Sequence, residues 1–187
     1  MKSERLPFEV TVVKRTDSAV GVMVLDLVPF EGGTLPSFEP GAHIDVLTPA
    51  GAIRQYSICN NPETSGYRLG ILLNPSSRGG SASMHSTIRE GDRLHIGAPR
   101  NLFPLLESSE PSLLLAGGIG ITPLLAMAWH LHVNDRPFVL HYFVRSRARG
   151  SSPRPLVMRN CSESVRLEQM ISLITSRCLS GGSASGS

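Results

Sequence analysis

Two successive patterns along the chain predict an antiparallel β-barrel of six strands followed by a partial α/β domain. Up to about residue 100, short segments alternating apolar and polar positions recur between turn residues; after Leu105, continuous apolar runs flank a helical period. Composition agrees. Of 187 residues 41% are hydrophobic and only 5% aromatic, while Gly 18 and Pro 14 supply many turns, which suits short strands better than a helical bundle.

The elements follow in order. "FEVTVVKRT" (8–16) and "AVGVMVLDLV" (19–28) flank Asp17-Ser18, and "AHIDVLT" (42–48) and "AIRQYSIC" (52–59) flank Pro49-Ala50-Gly51. "YRLGILL" (67–73) and "DRLHIGAP" (92–99) complete six strands, with "SASMHSTIRE" (81–90) reading as a short helix between them. Periodicity is lost in "PLLESSEP" (104–111), which places a domain boundary there and assigns 1–104 to the barrel and 105–179 to the second domain. In that domain "SLLLAGG" (112–118), "TPLLAMAWHLH" (122–132) and "PFVLHYFV" (137–144) form a βαβ unit whose apolar strands read as a buried parallel sheet, though two strands with one covering helix are expected to leave apolar surface and strand edges exposed. Residues 145–160 carry Arg145, Arg147, Arg149, Arg154 and Arg159 without an acid, and two prolines are expected to break any regular element. Leu167, Met170, Ile171 and Ile174 recur at helical spacing, predicting an amphipathic helix over 164–179; "SGGSASGS" (180–187) has linker composition and is expected to be disordered.

Charge and cysteines exclude several classes. A net charge of +3 permits an anionic ligand without calling for nucleic acid. Cys59, Cys161 and Cys178 show no CxxC or zinc-type spacing, and an odd count argues against a disulfide framework. The opening "MKSERLPFEVTVV" lacks the apolar core of a signal peptide, and the uncharged run Ser112 to Trp129 is interrupted by Gly117, Gly118, Gly120 and Pro123. A cytoplasmic protein with neither membrane nor nucleic-acid partner is expected. No metal site is expected either, because His130 and His132 stand i, i+2 and cannot converge on one ion from a regular helix.

Two glycine-rich loops can hold phosphates. In "SRGGSASMH" (77–85), Gly79 and Gly80 permit a tight turn and Ser81 suits an N-cap, so the following helix offers N–H groups and a positive dipole end to an anion. Taken alone, the segment reads first as a capped helix after a hairpin loop. In "LLLAGGIGITPLL" (113–125), a strand runs into Gly117-Gly118-x-Gly120, with Thr122 expected as N-cap and Pro123 as first helical residue. It is not G-x-G-x-x-G, and no acid follows about 20 residues on; Arg145 and Ser146 occupy the region that would read a ribose or 2′-phosphate.

The order of these loops, combined with Arg54-x-Tyr56-Ser57, resembles the ferredoxin reductase-like flavoproteins, in particular the phthalate dioxygenase reductase and vanillate demethylase reductase group. The similarity runs from about Phe8 to Arg147 through "FEPGAHIDV" (38–46), "RQYSICNNP" (54–62), "RGGSASMH" (78–85), "GDRLHIGAPRNLFPL" (91–105), "AGGIGITPLLAM" (116–127) and "HYFVRSR" (141–147). It implies a flavin-binding, ferredoxin reductase-like barrel followed by a Rossmann-like nucleotide-binding domain. Arg54 is then implied on the flavin phosphate, Tyr56 along the flavin and Ser57 near its reactive N5 edge. Gly79, Gly80 and Ser81 are implied on the same phosphate, with the backbone of Leu72, Leu73 and Asn74 facing the flavin. The implied cofactor is FMN, with FAD the lesser alternative.

The same resemblance implies that NADH or NADPH lies along Gly117, Gly118, Gly120, Thr122 and Pro123. Its hydride would pass to the flavin beside Ser57 and Thr122, and single electrons would then go to an oxygenase component of Rieske type or to a separate ferredoxin. Relatives carry a C-terminal [2Fe-2S] domain, whereas this sequence holds no C-x₄-C-x₂-C set of ligands, so the cluster is expected on another protein. Two alternatives stay open: a flavin-binding module without turnover, because the nicotinamide half is incomplete, and a non-enzymatic β-barrel interaction domain.

Overall fold

The computed structural model describes residues 6–19, 21–74, 76, 79–143 and 155–159. Its first sheet has six strands: β1 (Phe8–Ala19), β2 (Val22–Pro29), β3 (His43–Leu47), β4 (Ile53–Ser57), β5 (Tyr67–Leu72) and β6 (Arg93–Ile96). They run antiparallel in the order β4-β3-β6-β1-β2-β5. The sheet curls until its edge strands meet. There, no ladder pairs β4 with β5 among the described residues; the isolated bridge Ile58↔Leu69 and the Cys59 N–H bond to the Arg68 carbonyl (2.9 Å) connect them, so the expected barrel is partly open.

Alternation produces the core. On β2, Met23, Leu25 and Leu27 turn inward, where they meet Val10 and Val12 of β1, Ile44 and Val46 of β3, and Leu69 and Ile71 of β5. Full burial of each such side chain contributes about 1.5–3 kcal/mol, which fixes the register, since a one-residue slip would turn the whole set to water. Helix α1 (Gly80–Thr87) lies between β5 and β6 in sequence and adds Met84 to this core.

The second sheet contains β7 (Ser112–Gly117), β8 (Phe138–Phe143) and β9 (Pro155–Arg159), with β7 and β8 parallel and β9 antiparallel to β8. A 3-10 turn, Gly118–Gly120, leads from β7 into helix α2 (Ile121–Val133). One expectation is corrected. Residues 155–159 form a strand in spite of Pro155, because it sits at the strand's first position, where its missing N–H and fixed φ are tolerated. The parallel strands leave apolar surface exposed, as expected of a sheet with one covering helix: Leu114, Ala116, Phe138, Leu140 and Tyr142 lie under α2, while Leu113 and Leu115 are 63% and 60% exposed. A single helix covers one side, and among the described residues nothing covers the other. The helix expected over 164–179 and the tail at 180–187 lie outside the described residues.

The two parts interlock. Cys59, just after β4, packs into the α/β core, and Ala126 of α2 packs into the barrel core. At Gly41 a Cβ would lie 2.0 Å from the Phe103 carbonyl oxygen and 2.9 Å from the Met127 methyl, so only a glycine fits this close approach.

Candidate functional site

Strand β4 and helix α1 meet at Arg54. Its Nη1 donates to the Ile53 carbonyl at 2.8 Å, and its stem runs so close to Gly80 that a Cβ there would stand 2.8 Å from Nε and 3.1 Å from Cγ. Residue 80 therefore has no side chain because the guanidinium occupies that space. Residue 79 is glycine for a different reason: it is the N-cap of α1 at φ 82, a left-handed conformation that L side chains rarely adopt. This corrects the expected Ser81 cap. Ser81 lies inside the first turn, and its Oγ accepts the Asn74 N–H at 3.1 Å, tying the start of α1 to the end of β5. No side-chain cap bonds the start of α1, so the positive end of the helix stands beside the Arg54 guanidinium. Two sources of positive potential converge there, as an anion site requires.

Next to this cradle, Tyr56 packs on the barrel core, while its hydroxyl is buried and has no partner among the described residues. Burial raises the phenol's pKa, and the Arg54 charge pulls in the opposite direction. Leu72 and Leu73, at the end of β5, are 41% and 36% exposed, an apolar ledge next to the Asn74–Ser81 link. A buried, orphaned hydroxyl, a guanidinium at a helix start and an exposed apolar ledge fit an aromatic ligand that carries a phosphate.

The second loop is built differently from expectation. Gly120, not Thr122, is the N-cap of α2, so Ile121 opens the helix and Pro123 falls third. Pro123 costs nothing there, since the first N–H groups of a helix have no intrahelical acceptor. Thr122 is buried, and its Oγ1 donates to the Ile119 carbonyl at 3.0 Å, closing the 3-10 turn. A Cβ on Gly117, Gly118 or Gly120 would meet nothing within 4 Å. The protein itself leaves that space open, which is room for a ligand's backbone approach.

Strand β5 connects the loops. Its end holds Ser81 through the Asn74 N–H, and at Gly70 a Cβ would fall 2.7 Å from the Thr122 methyl, so the start of α2 is seated on β5. Arg54, Tyr56, Leu72 to Asn74, Gly79 to Ser81 and the Gly117 to Pro123 loop are thus arranged around one strand. Ser57 alternates to the face opposite Arg54 and Tyr56, where it stands across from His43. Arg145 and Ser146 lie outside the described residues. Sequence reasoning assigned no role to His43, whose Nε2 is buried without a partner among the described residues. The signal was strand register, which a single sequence does not display.

Elsewhere, two concavities of about 440 and 290 Å³ share none of these residues. Among the described residues there is no cluster of His, Cys, Asp and Glu that could hold a metal ion, and no helix long and apolar enough to cross a membrane.

No family model matches the chain. Its similarity to individual proteins is extensive. It is 48% identical over 149 residues to the vanillate O-demethylase oxidoreductase of Pseudomonas sp. strain HR199, covering 79% of this chain and 47% of that protein. It is 41% identical over 137 residues to the phthalate 4,5-dioxygenase oxygenase reductase subunit of Pseudomonas putida, covering 72% of this chain and 42% of that protein. Among solved structures, phthalate dioxygenase reductase, described as modular for electron transfer from pyridine nucleotides to [2Fe-2S], superposes with a TM-score of 0.72 at 36% identity, over 74% of this chain and 44% of that one. The FAD/NAD-binding domain of a Vibrio cholerae nitric oxide dioxygenase shares the fold, with a TM-score of 0.71 at 22% identity over 88% of this chain. The chain spans about half the length of the curated relatives it matches. Six antiparallel strands, a cradle at Arg54 and the parallel unit behind it, together with these similarities, place the chain in the ferredoxin reductase-like family, in the group of the vanillate demethylase and phthalate dioxygenase reductases.

Proposed function

We propose that the chain is the flavin- and nicotinamide-binding part of an NAD(P)H-dependent reductase that supplies electrons to an oxygenase component or to a separate ferredoxin. FMN is the flavin this reading favours over FAD. The observation that carries it is the Arg54–Gly80 contact, which sets a guanidinium beside a helix start.

When bound, the flavin supplies hydride acceptance and one-electron release, and the protein's residues supply the rest. Arg54 and the α1 start at Gly79, Gly80 and Ser81 hold the phosphate; Tyr56 and the ledge of Leu72, Leu73 and Asn74 hold the ring system. Gly117, Gly118 and Gly120 let the pyrophosphate of NADH or NADPH approach the backbone, while Thr122 and Pro123 fix the direction of α2 behind it. Arg145 and Ser146 follow β8 in sequence and are proposed to read the ribose side. Thr122 is proposed beside the reacting atoms; Ser57, expected there as well, alternates to the face of β4 opposite Arg54 and Tyr56. No general acid or base is required of the chain for hydride transfer.

The test is an absorption spectrum of the purified protein reconstituted with FMN, taken anaerobically before and after NADH. Bound flavin that NADH bleaches supports the reading. A protein that stays colourless with excess FMN overturns it. A second reading, flavin binding without turnover, is favoured by the uncovered face of β7 and β8, since that half has only one covering helix among the described residues. It predicts a yellow protein on which NADH has no effect.

A further inference from the structure

Ser81 and His85 stand four residues apart, on one face of α1. Both reach the end of β5. Ser81 Oγ accepts the Asn74 N–H at 3.1 Å, and His85 Nε2 lies 3.0 Å from the Ile71 carbonyl oxygen. A carbonyl only accepts, so Nε2 carries the proton and donates. Ile71 and Asn74 flank Leu72 and Leu73, so the two bonds bracket the exposed apolar ledge from either end.

Of the two elements, β5 is the fixed one. Ile71 is paired with Met23 in the β2–β5 ladder, and the Leu73 N–H donates to the Gly21 carbonyl at 2.6 Å. Alternation then turns the N–H and C=O of Leu72 away from β2, toward the seam where no ladder pairs β4 with β5 among the described residues. What the two bonds hold is therefore α1. Met84 packs into the barrel core and Ser83 Oγ accepts the Ala50 N–H at 3.2 Å, which seats the helix on the barrel. A single tie to β5 at Ser81 would let the helix turn about that point. The second, one turn further on at the half-buried His85, sets the direction in which the first N–H groups of α1 point beside Arg54.

We propose that His85 is a positioning residue for the flavin, its Nε2–H bond to the Ile71 carbonyl holding the anion cradle at the start of α1 in register with the Leu72–Leu73 ledge. The proposal rests on the flavin reading above. FMN carries both a phosphate and a ring system, so its affinity depends on how the two places are spaced. Riboflavin engages the ledge alone and inorganic phosphate the cradle alone, so neither senses that spacing.

The test uses the purified full chain as wild type, H85L, H85N and H85Q, with fluorescence titration of FMN and of riboflavin and melting curves of the flavin-free proteins. Leucine removes the donor, asparagine holds its amide short of the Ile71 carbonyl, and glutamine carries a donor to the reach of Nε2. H85L and H85N are expected to weaken FMN about tenfold, as loss of one hydrogen bond allows, and riboflavin by less than about twofold. H85Q is expected to bind FMN within about threefold of wild type. A merely structural role predicts a different pattern, because partial unfolding lowers the apparent affinity for both flavins by the same factor. Equal weakening of FMN and riboflavin therefore overturns the proposal. So does unchanged FMN affinity in H85L, an H85Q protein as weak as H85L, or loss of the fold in both H85L and H85N. Where riboflavin binds too weakly to titrate, inorganic phosphate competing with FMN takes its place, with the same expectations. A wild type that binds no FMN defeats the flavin reading itself, whereas a wild type that binds FMN no differently from H85L defeats only the role of His85.

Discussion

Arg54 lies where the side chain of residue 80 would have been: a Cβ on Gly80 would stand 2.8 Å from Nε, 3.1 Å from Cγ and 3.4 Å from Cζ of the arginine. Residues far apart in sequence, on two different elements, thereby form one positive surface, and its occupant is testable through either residue.

Arg54→Ala should weaken FMN binding by about 1.5–3 kcal/mol, the range for a charge-assisted hydrogen bond to phosphate. Folding should be nearly unaffected, because the only hydrogen bond described for the side chain is to the neighbouring Ile53 carbonyl. Gly80→Val should weaken FMN as well, by displacing the guanidinium while keeping its charge, so its effect should shrink at low salt and that of Arg54→Ala should not. Fluorescence titration of FMN at two salt concentrations checks both. Equal affinities for wild type and Arg54→Ala would remove the phosphate from this cradle.

Tyr56→Phe separates the free protein from the complex. Its buried hydroxyl has no partner among the described residues, so deleting it should leave the flavin-free protein as stable or stabilise it by up to about 1 kcal/mol. With FMN bound, the same substitution should cost stability if the hydroxyl meets the ligand. Melting curves with and without FMN give the comparison, and a loss of the same size in both would show that the hydroxyl is satisfied within the protein.

Alkaline pH should expose two buried acids. Burial raises the Cys59 thiol from 9.0 to about 12 and the Tyr67 phenol from 10.0 to about 12. In each case the folded state favours the protonated form. The stability they contribute is complete below the unfolded values and is lost as pH rises toward the folded ones. Urea unfolding should therefore be pH-independent with respect to these groups below about pH 9 and weaken progressively toward pH 12. Cys59→Ala should abolish the part that begins near 9, and Tyr67→Phe the part that begins near 10. Cys59 should also resist alkylation in the folded protein at pH 8, a point that peptide mass mapping decides.

The barrel was legible because its signal is local. Met23, Leu25 and Leu27 alternate with polar or half-buried neighbours on β2, and turn residues close every strand. The helix caps were misassigned because Ser81 and Thr122 have cap chemistry but spend it elsewhere, Ser81 on the Asn74 N–H and Thr122 on the Ile119 carbonyl. Strand β9 was hidden because an edge strand opening with proline has no periodic signature, only a partner in β8. The motif residues of the candidate site were readable as chemistry, whereas the contact that joins Arg54 to Gly80 and the opposition of His43 to Ser57 are tertiary and appear only when the strands are paired.

The uncovered sheet face yields the last prediction. Among the described residues, strand β7 lies at the edge of its sheet, and its outward residues Leu113 and Leu115 are 63% and 60% exposed, next to Phe143 on β8 at 42%. A parallel sheet is normally covered on both sides, so this face joins an unpaired edge to contiguous apolar surface, a combination that promotes association. Because these leucines keep most of their surface in water, replacing both by threonine forfeits little burial and keeps a β-branched residue on the strand. Stability should fall by less than about 1 kcal/mol. Self-association measured by light scattering should fall in the double variant. If Leu113→Thr/Leu115→Thr unfolds the protein or leaves its association unchanged, the face is covered in solution or plays no part in association, and the exposure seen here is not what governs the protein's solubility.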